Sequence, residues 1–387
     1  MTESVIFRIH WFYLKGMREV ASIQQKNDRI WILGAVFLSV GIMGYSVFYP
    51  KETGETIRRA LLLFAEKILP SLFAFSVSAK ILTRSGFCER LERTPLCRLF
   101  PFFGVSAAGF SAMLLGFLSG FPVGASVLAE LVSGGRMKRE EAESLLPFCN
   151  NAGAAFVIGT VGLLVFDSAE IGRALYLAQT VAALFAVILT ARGRIPFLSF
   201  SALERRREGA AVSLVTSAIG EGAISMVGIG GYIVFFSVVT KMLFRVFHAF
   251  LPFFDGIFAI FSGFLEISGG IALISEMSFP EFERLVLCGF LLGFGGISVW
   301  MQVADRAENA GISLSFYWRG KCMTALFCAL LAPLFCSFGE RRTVPWLIFS
   351  GFLVVLTIIA VKNKIIFQKS VEKKEGMLYN RYEIQCP

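Results

Sequence analysis

Long uncharged runs separated by short charged clusters dominate this chain. Ile30–Tyr49, Ala174–Ala191, Met323–Gly339 and Val344–Val361 contain no Asp, Glu, Lys or Arg. A helix needs about 20 such residues to cross the hydrocarbon of a bilayer. The pattern predicts spans near 30–49, 60–82, 145–166, 172–191, 213–240, 283–304, 316–337 and 344–361. Two further apolar segments, 104–132 and 255–275, are interrupted at their midpoints by Ser119-Gly120-Phe121-Pro122 and Glu266-Ile267-Ser268-Gly269-Gly270. Each either spans, or enters and leaves on one side as a re-entrant helical hairpin.

Basic residues arbitrate between these choices, because cytoplasmic loops retain Lys and Arg. With both segments re-entrant, Arg136, Lys138, Arg139, Arg192, Arg194, Arg205, Arg206 and Arg207 fall inside, and only Arg173, Lys241 and Arg245 outside. With both spanning, the assignment reverses. Either choice keeps the basic N-terminus and the tail with Lys362, Lys364, Lys369, Lys373 and Lys374 inside. Re-entry agrees with the charge pattern.

A repeat then becomes visible. "GFLSGFPVGA" at Gly116 is followed 34 residues later by "NNAG" at Asn150, and "GFLEISGGIA" at Gly263 is followed 32 residues later by "GGIS" at Gly295. Each unit reads as a span, a hairpin, a span broken by polar or small residues, and a closing span. Under the chosen topology the hairpins insert from opposite sides, as in many secondary transporters. Irregular backbone at membrane depth survives only where protein or a watery cavity satisfies it. Pro122 lacks an N–H, and Gly120 and Gly124 allow unusual dihedrals and close approach. Two half-helices meeting there are expected to leave unpaired amides and the positive ends of helix dipoles, a cradle for an anion. Gly116, Gly120 and Gly124 also form a GxxxGxxxG row of the kind that packs membrane helices. The matching break in the second half favours a binding site.

Composition agrees. Of 387 residues, 56% are hydrophobic and 17% charged, with 41 Phe, and mean hydropathy is +0.69. The net charge of +9 lies in short clusters between apolar segments, which argues against a nucleic-acid partner. The eight cysteines show no CxxC and read as free thiols in apolar segments. With His10 and His248 as the sole histidines, no metal or haem site is expected. The first 29 residues lack the features of a signal peptide, so Ile30–Tyr49 is expected to stay as an anchor. No HExxH, P-loop or nucleophile–base set is present, and the protein is read as no enzyme.

"GFLSGFPVGA", "LLPFCNNAGAAFVIGTVG", "GFLEISGG" and "LLGFGGISVWMQV" together resemble the bacterial sporulation integral membrane proteins of the YlbJ, or SpoVV, family. That family falls in the wider group with a nucleoside-recognition, or Gate, domain, and the resemblance covers roughly residues 58–340. It implies a fold similar to concentrative nucleoside transporters, and movement of dipicolinic acid across the outer forespore membrane during sporulation. The expected fold class is an all-α polytopic membrane protein, with about eight transmembrane helices plus two re-entrant hairpins in an inverted repeat. The expected organisation is 1–57, N-terminus and anchor helix; 58–192, a first Gate-like repeat; 193–340, a second, inverted one; 341–387, a final helix and basic cytoplasmic tail.

Within this frame Ser119 and Gly120 offer a hydroxyl and amides to a carboxylate, while Pro122 and Gly124 shape the turn. Asn150 and Asn151 either contact solute or bond neighbouring helices. Glu266 sits alone in the uncharged stretch Gly256–Ser275, and an intramembrane carboxylate is costly enough to suggest function. It is expected to couple an ion or bind substrate, with capping of a half-helix as the plainer reading. Ser268, Gly269 and Gly270 complete the second tip. Gly295, Gly296, Ser298 and Gln302 line the second break, the last two one turn apart. Glu221 is a weaker candidate, and Lys80 and Glu130 are read as snorkelling side chains. The expected partners are the lipid bilayer and a small anionic solute such as dipicolinate, with Na+ or H+ as candidate coupling ion, no other cofactor, and homo-oligomerisation left open. A nucleoside or another carboxylate is the alternative substrate, and a non-transporting sporulation scaffold the alternative class.

Overall fold

The computed structural model describes residues 32–91, 94, 103–190, 211–250 and 255–336. The expectations for the first 29 residues, most of the 192–212 loop, the 344–361 span and the basic tail lie outside them. Helix is the only regular secondary structure among the described residues, with no strand. Five helices are long and apolar enough to cross a membrane, or six if one bent pair counts as a single span. The exact count of eight is not confirmed, and one of the eight, 344–361, falls outside the described residues.

That bent pair opens the fold. Helix α1, Ile32–Phe48, turns by 110° into α2, Pro50–Leu63. Pro50 opens α2, where its missing N–H costs nothing. A π turn, Phe64–Ile68, carries the helix into α3, Leu69–Arg84, so the span expected at 60–82 begins ten residues earlier. The added turns carry Lys51, Glu52, Glu55, Arg58 and Arg59, whose polarity hides them from a hydropathy reading. A short α4, Phe87–Leu91, follows.

Hairpin 1 is α5, Ala107–Ser119, and α6, Val123–Ser133, packed against each other. The next span breaks as expected. Helix α7, Arg139–Cys149, stops at an extended stretch 150–153, and the chain resumes as α8, Ala154–Phe156, a π segment Val157–Gly162, and α9, Leu163–Phe166. Helix α10, Ala169–Thr190, closes the first half. The second half repeats the order. It runs from α11, Ala211–Phe250, through hairpin 2, formed by α12, Asp255–Leu265, and α13, Ile267–Glu276. A broken span of α14, Glu281–Phe294, and α15, Gly296–Asn309, leads to α16, Tyr317–Cys336.

The halves exchange partners. Helix α15, beyond the second break, packs on α6 of hairpin 1, while α9, beyond the first break, packs on α13 of hairpin 2. Likewise α3 packs on α11, α10 on α16, α7 on α16 and α14 on α10. This reciprocal pattern is what two copies of one unit produce when related by a pseudo-two-fold axis.

Helix α11 supplies a ruler. Its 40 residues span about 60 Å, twice a hydrocarbon thickness, against the 28 expected for this span. Between Glu221 and Lys241 lie 19 uncharged residues, about 29 Å of helix. At one end Glu221 pairs with Lys80 (2.8 Å) and Arg84 (2.8 Å), and Arg84 also grips Glu130 of hairpin 1 (2.7 Å). At the other end Lys241 (3.1 Å) and Arg245 (2.9 Å) pair with Glu52, and Phe244 packs on Phe258 at the start of hairpin 2 (ring centroids 4.8 Å). The open ends of the hairpins therefore lie at opposite ends of the apolar ruler. Lys80 and Glu130 are ion-paired rather than separately snorkelling, and Glu221, the weaker site candidate, is tied up in the same cluster, because helices distant in sequence bring them together.

Candidate functional site

The first tip depends on backbone that few residues adopt. Gly120 has φ +79°, and a Cβ there would meet Gly153 N at 2.5 Å. Its N–H closes the last turn of α5 onto Gly116 O (2.8 Å), and the Phe121–Pro122 peptide is cis. The amides expected to be free are largely taken. Phe121 N–H donates to Asn151 O (2.9 Å). Ala125 N–H, in the first turn of α6, donates to Asn150 Oδ1 (2.9 Å). The broken span of the same repeat thus caps the hairpin, which corrects the expectation of an open amide cradle. A buried amide costs too much to wait for a ligand when a carboxamide lies within reach.

Asn150 and Asn151 are fully buried. Asn150 Nδ2 donates to Leu146 O (2.6 Å) and Asn151 Nδ2 to Phe148 O (2.6 Å), so each side chain also closes the end of α7. Gly124 lies against the Cys149 carbonyl. Gly124, Asn150 and Asn151 hold the first tip in place from behind.

At the second tip Glu266 is the N-cap of α13. Its carboxylate accepts from Ser268 N–H (3.0 Å) and Gly269 N–H (2.7 Å), the plainer of the two readings of this residue. Each oxygen keeps acceptor capacity. The second break turns on two glycines in the left-handed region, Gly295 (φ +86°) and Gly296 (φ +87°). A Cβ on Gly296 would lie 3.2 Å from Gly263 O in α12, so the second broken span abuts its own hairpin as the first does.

Both tips open onto one cavity of about 40 Å³, room for about three waters. Ser119, Glu266, Ser268 and Gln302 supply its polar groups, and Phe75, Phe121 and Phe156 its aromatic faces. Ser119 Oγ makes a long bond to Phe75 O (3.4 Å). Gln302 Nε2 donates weakly to Ser298 Oγ (3.4 Å), while Gln302 Oε1 is buried without a partner. Of the expected site residues, Ser119, Glu266, Ser268 and Gln302 line the cavity. Gly120, Pro122, Gly124, Asn150, Asn151, Gly269, Gly295, Gly296 and Ser298 form the layer that shapes it. Among the described residues no cluster of three His, Cys, Asp or Glu side chains gathers for a metal.

No protein-family model and no solved structure matches the chain. It is 26% identical to the sporulation integral membrane protein YlbJ of Bacillus subtilis, covering 74% of this chain and 78% of that protein. This likeness, over most of both chains, supports the resemblance to the YlbJ family carried by the motifs. With five or six helices apolar enough to span among the described residues, and the likeness to an integral membrane protein, the chain is a multi-pass membrane protein.

Two buried polar residues that bond the first break escape the sequence reading. Lys321, in the second turn of α16, is fully buried. Its Nζ donates to Asn150 O (2.8 Å) and Asn151 Oδ1 (3.3 Å), and its Cε lies 3.6 Å from where a Gly295 Cβ would stand. It joins the first break to the second. Its position beside Arg319, just before the uncharged run Met323–Gly339, reads in sequence as a span end at the membrane surface. Gln179 of α10 was also missed. It donates to Ala152 O (2.9 Å) within the first break, and no signal in the sequence set it apart.

Proposed function

We propose that the protein is a carrier of a small polar solute, with the units 58–192 and 193–340 acting as inverted transport repeats. The observation that supports this is the meeting of two oppositely directed hairpin tips at one cavity, beside a break in each long span. A packed scaffold gains nothing from unpaired polar atoms and interrupted helices at that depth. The proposed solute is dipicolinic acid, moved across the outer forespore membrane during sporulation. The likeness to the sporulation protein YlbJ and the three aromatic faces of the cavity support a flat, ring-bearing substrate. The cavity volume suits an occluded state, and the hairpins would part to admit a solute of that size.

A nucleoside is the second reading. It is favoured by Glu266, whose carboxylate accepts from hydroxyls, and by the lack of a basic side chain among the cavity-lining residues. Labelled dipicolinate should enter proteoliposomes containing the protein faster than protein-free vesicles. Uridine uptake in its place would select the second reading, and uptake of neither would remove the carrier proposal. In cells, a clean deletion should leave spores poor in dipicolinate while the mother cell still makes it.

Gln302 provides a sharper test. Gln302→Leu removes a buried, unpartnered acceptor, so thermal stability in detergent should hold or rise slightly. Uptake should fall about tenfold, the equivalent of one lost hydrogen bond to solute. Unchanged uptake would take Gln302 out of the site.

A further inference from the structure

We infer that Lys321 is the proton-carrying group of this protein, taking up a proton when an anion enters the adjacent cavity and filling the place a bound sodium ion would otherwise occupy. The inference rests on the carrier reading above and supplies its coupling ion.

The Lys321 amine lies among oxygens with no acid. Its acceptors are one backbone carbonyl and one carboxamide oxygen, a donor set equally suited to a small monovalent cation. A neutral amine has two N–H donors and would keep both bonds, while an ammonium has a third. The surroundings therefore hold the side chain in either protonation state. An anion arriving nearby favours the ammonium over the amine.

The ionisable groups on the elements packed against α16 do not compete for this role. Cys149 of α7 and Cys288 of α14 are buried thiols, as is Cys328 on α16 itself, and Tyr317 is buried one turn before Lys321. Helix α10 presents Tyr176, whose hydroxyl is bonded to Phe117 O (2.9 Å). The acids of these helices sit at their starts: Glu140, Glu141 and Glu143 on α7, Glu170 on α10, Glu281 and Glu283 on α14. Glu141, the one that is buried, is nine residues and roughly 13 Å of helix from Asn150. Arg173 and Arg284 lie near the same helix starts, and Arg284 donates to Val165 O (2.8 Å). Glu266, across the cavity, has both oxygens engaged by amides.

The link to the cavity is short. Lys321 bonds Asn151 Oδ1, Asn151 O accepts from Phe121 N–H, and Phe121 lines the cavity. By linkage, a proton on Lys321 and an anion in the cavity raise each other's affinity by the same factor.

The test is calorimetric titration of the purified full-length protein with dipicolinate in buffers of different ionisation enthalpy. Binding should take up about one proton, and affinity should fall by up to about tenfold per pH unit as the amine becomes neutral. Replacing sodium by choline should change nothing. Lys321→Arg, which keeps its charge, should bind dipicolinate without proton uptake. Asn151→Asp, which holds the ammonium protonated through a new carboxylate, should do the same if the arginine is too large to fold. Wild-type binding without proton uptake, or a requirement for sodium, would overturn the inference and leave the carrier reading standing. Proton uptake lost in Glu266→Gln but kept in Lys321→Arg would move the role to Glu266. Absence of any dipicolinate binding would overturn the carrier reading for this anion, and the linkage with it.

Discussion

Gly124→Ala should cost about 3 kcal/mol or more and leave little folded protein, an effect out of proportion to one methyl group. Cys149 ends α7, and its carbonyl oxygen lies between the two arms of hairpin 1, against Gly116 on one side and Gly124 on the other. A Cβ at either glycine would fall far inside van der Waals contact distance of that oxygen. The neighbour is backbone of a helix end already fixed by the Asn150 and Asn151 carboxamides, so it has nowhere to move. Gly159→Ala is the control, since a Cβ there meets nothing within 4 Å. Its stability should be unchanged or slightly raised. Thermal unfolding of the two variants in detergent makes the comparison, and equal midpoints would mean that the hairpin does not rest on Cys149.

Asn150→Leu should be almost as damaging, by about 2–4 kcal/mol, although the side chains are close in volume. The leucine leaves Ala125 N–H in the first turn of α6 without its acceptor (2.9 Å in the native chain) and Leu146 O without its donor (2.6 Å). Both groups are buried where water does not replace the lost partner. Asn150→Asp keeps the acceptor for Ala125 and should recover about half of the loss. Whatever fraction of Asn150→Leu folds should also fail in uptake, because the tip that carries Ser119 and Phe121 loses its anchor. An Asn150→Leu protein with wild-type melting and uptake would show that the asparagine does not cap the hairpin.

These two residues mark where reading the sequence worked and where it stopped. The GxxxGxxxG row reads in sequence as packing or as a binding tip, and in the structure it packs and also turns the hairpin. Gly116 and Gly124 seat the hairpin on the broken span, while Gly120 turns it. Asn150 and Asn151 were recognised as polar intruders, but their partners, the amides of a hairpin 25 and more residues away, have no trace in local pattern. Glu266 stood out because it was alone, and its two bonds turned out to be the most local ones available, to the next turn of its own chain. Lys321 was overlooked because a lysine one turn from a helix start ordinarily reaches for the surface.

The linear pattern by itself determines where the chain is apolar enough for membrane and where the hairpins and the long spans beside them are interrupted. Those are local matters: a proline without an N–H, a glycine free to take positive φ, a run without charge. Which group answers each interrupted helix depends on residues dozens or hundreds of positions apart. The carboxamides behind hairpin 1, the lysine joining the two breaks, and the Arg84–Glu130–Glu221 cluster at one end of α11 are all of this kind. They arise only when the helices pack, because in a medium that offers no hydrogen bonds each stranded polar group takes whatever partner the fold brings near.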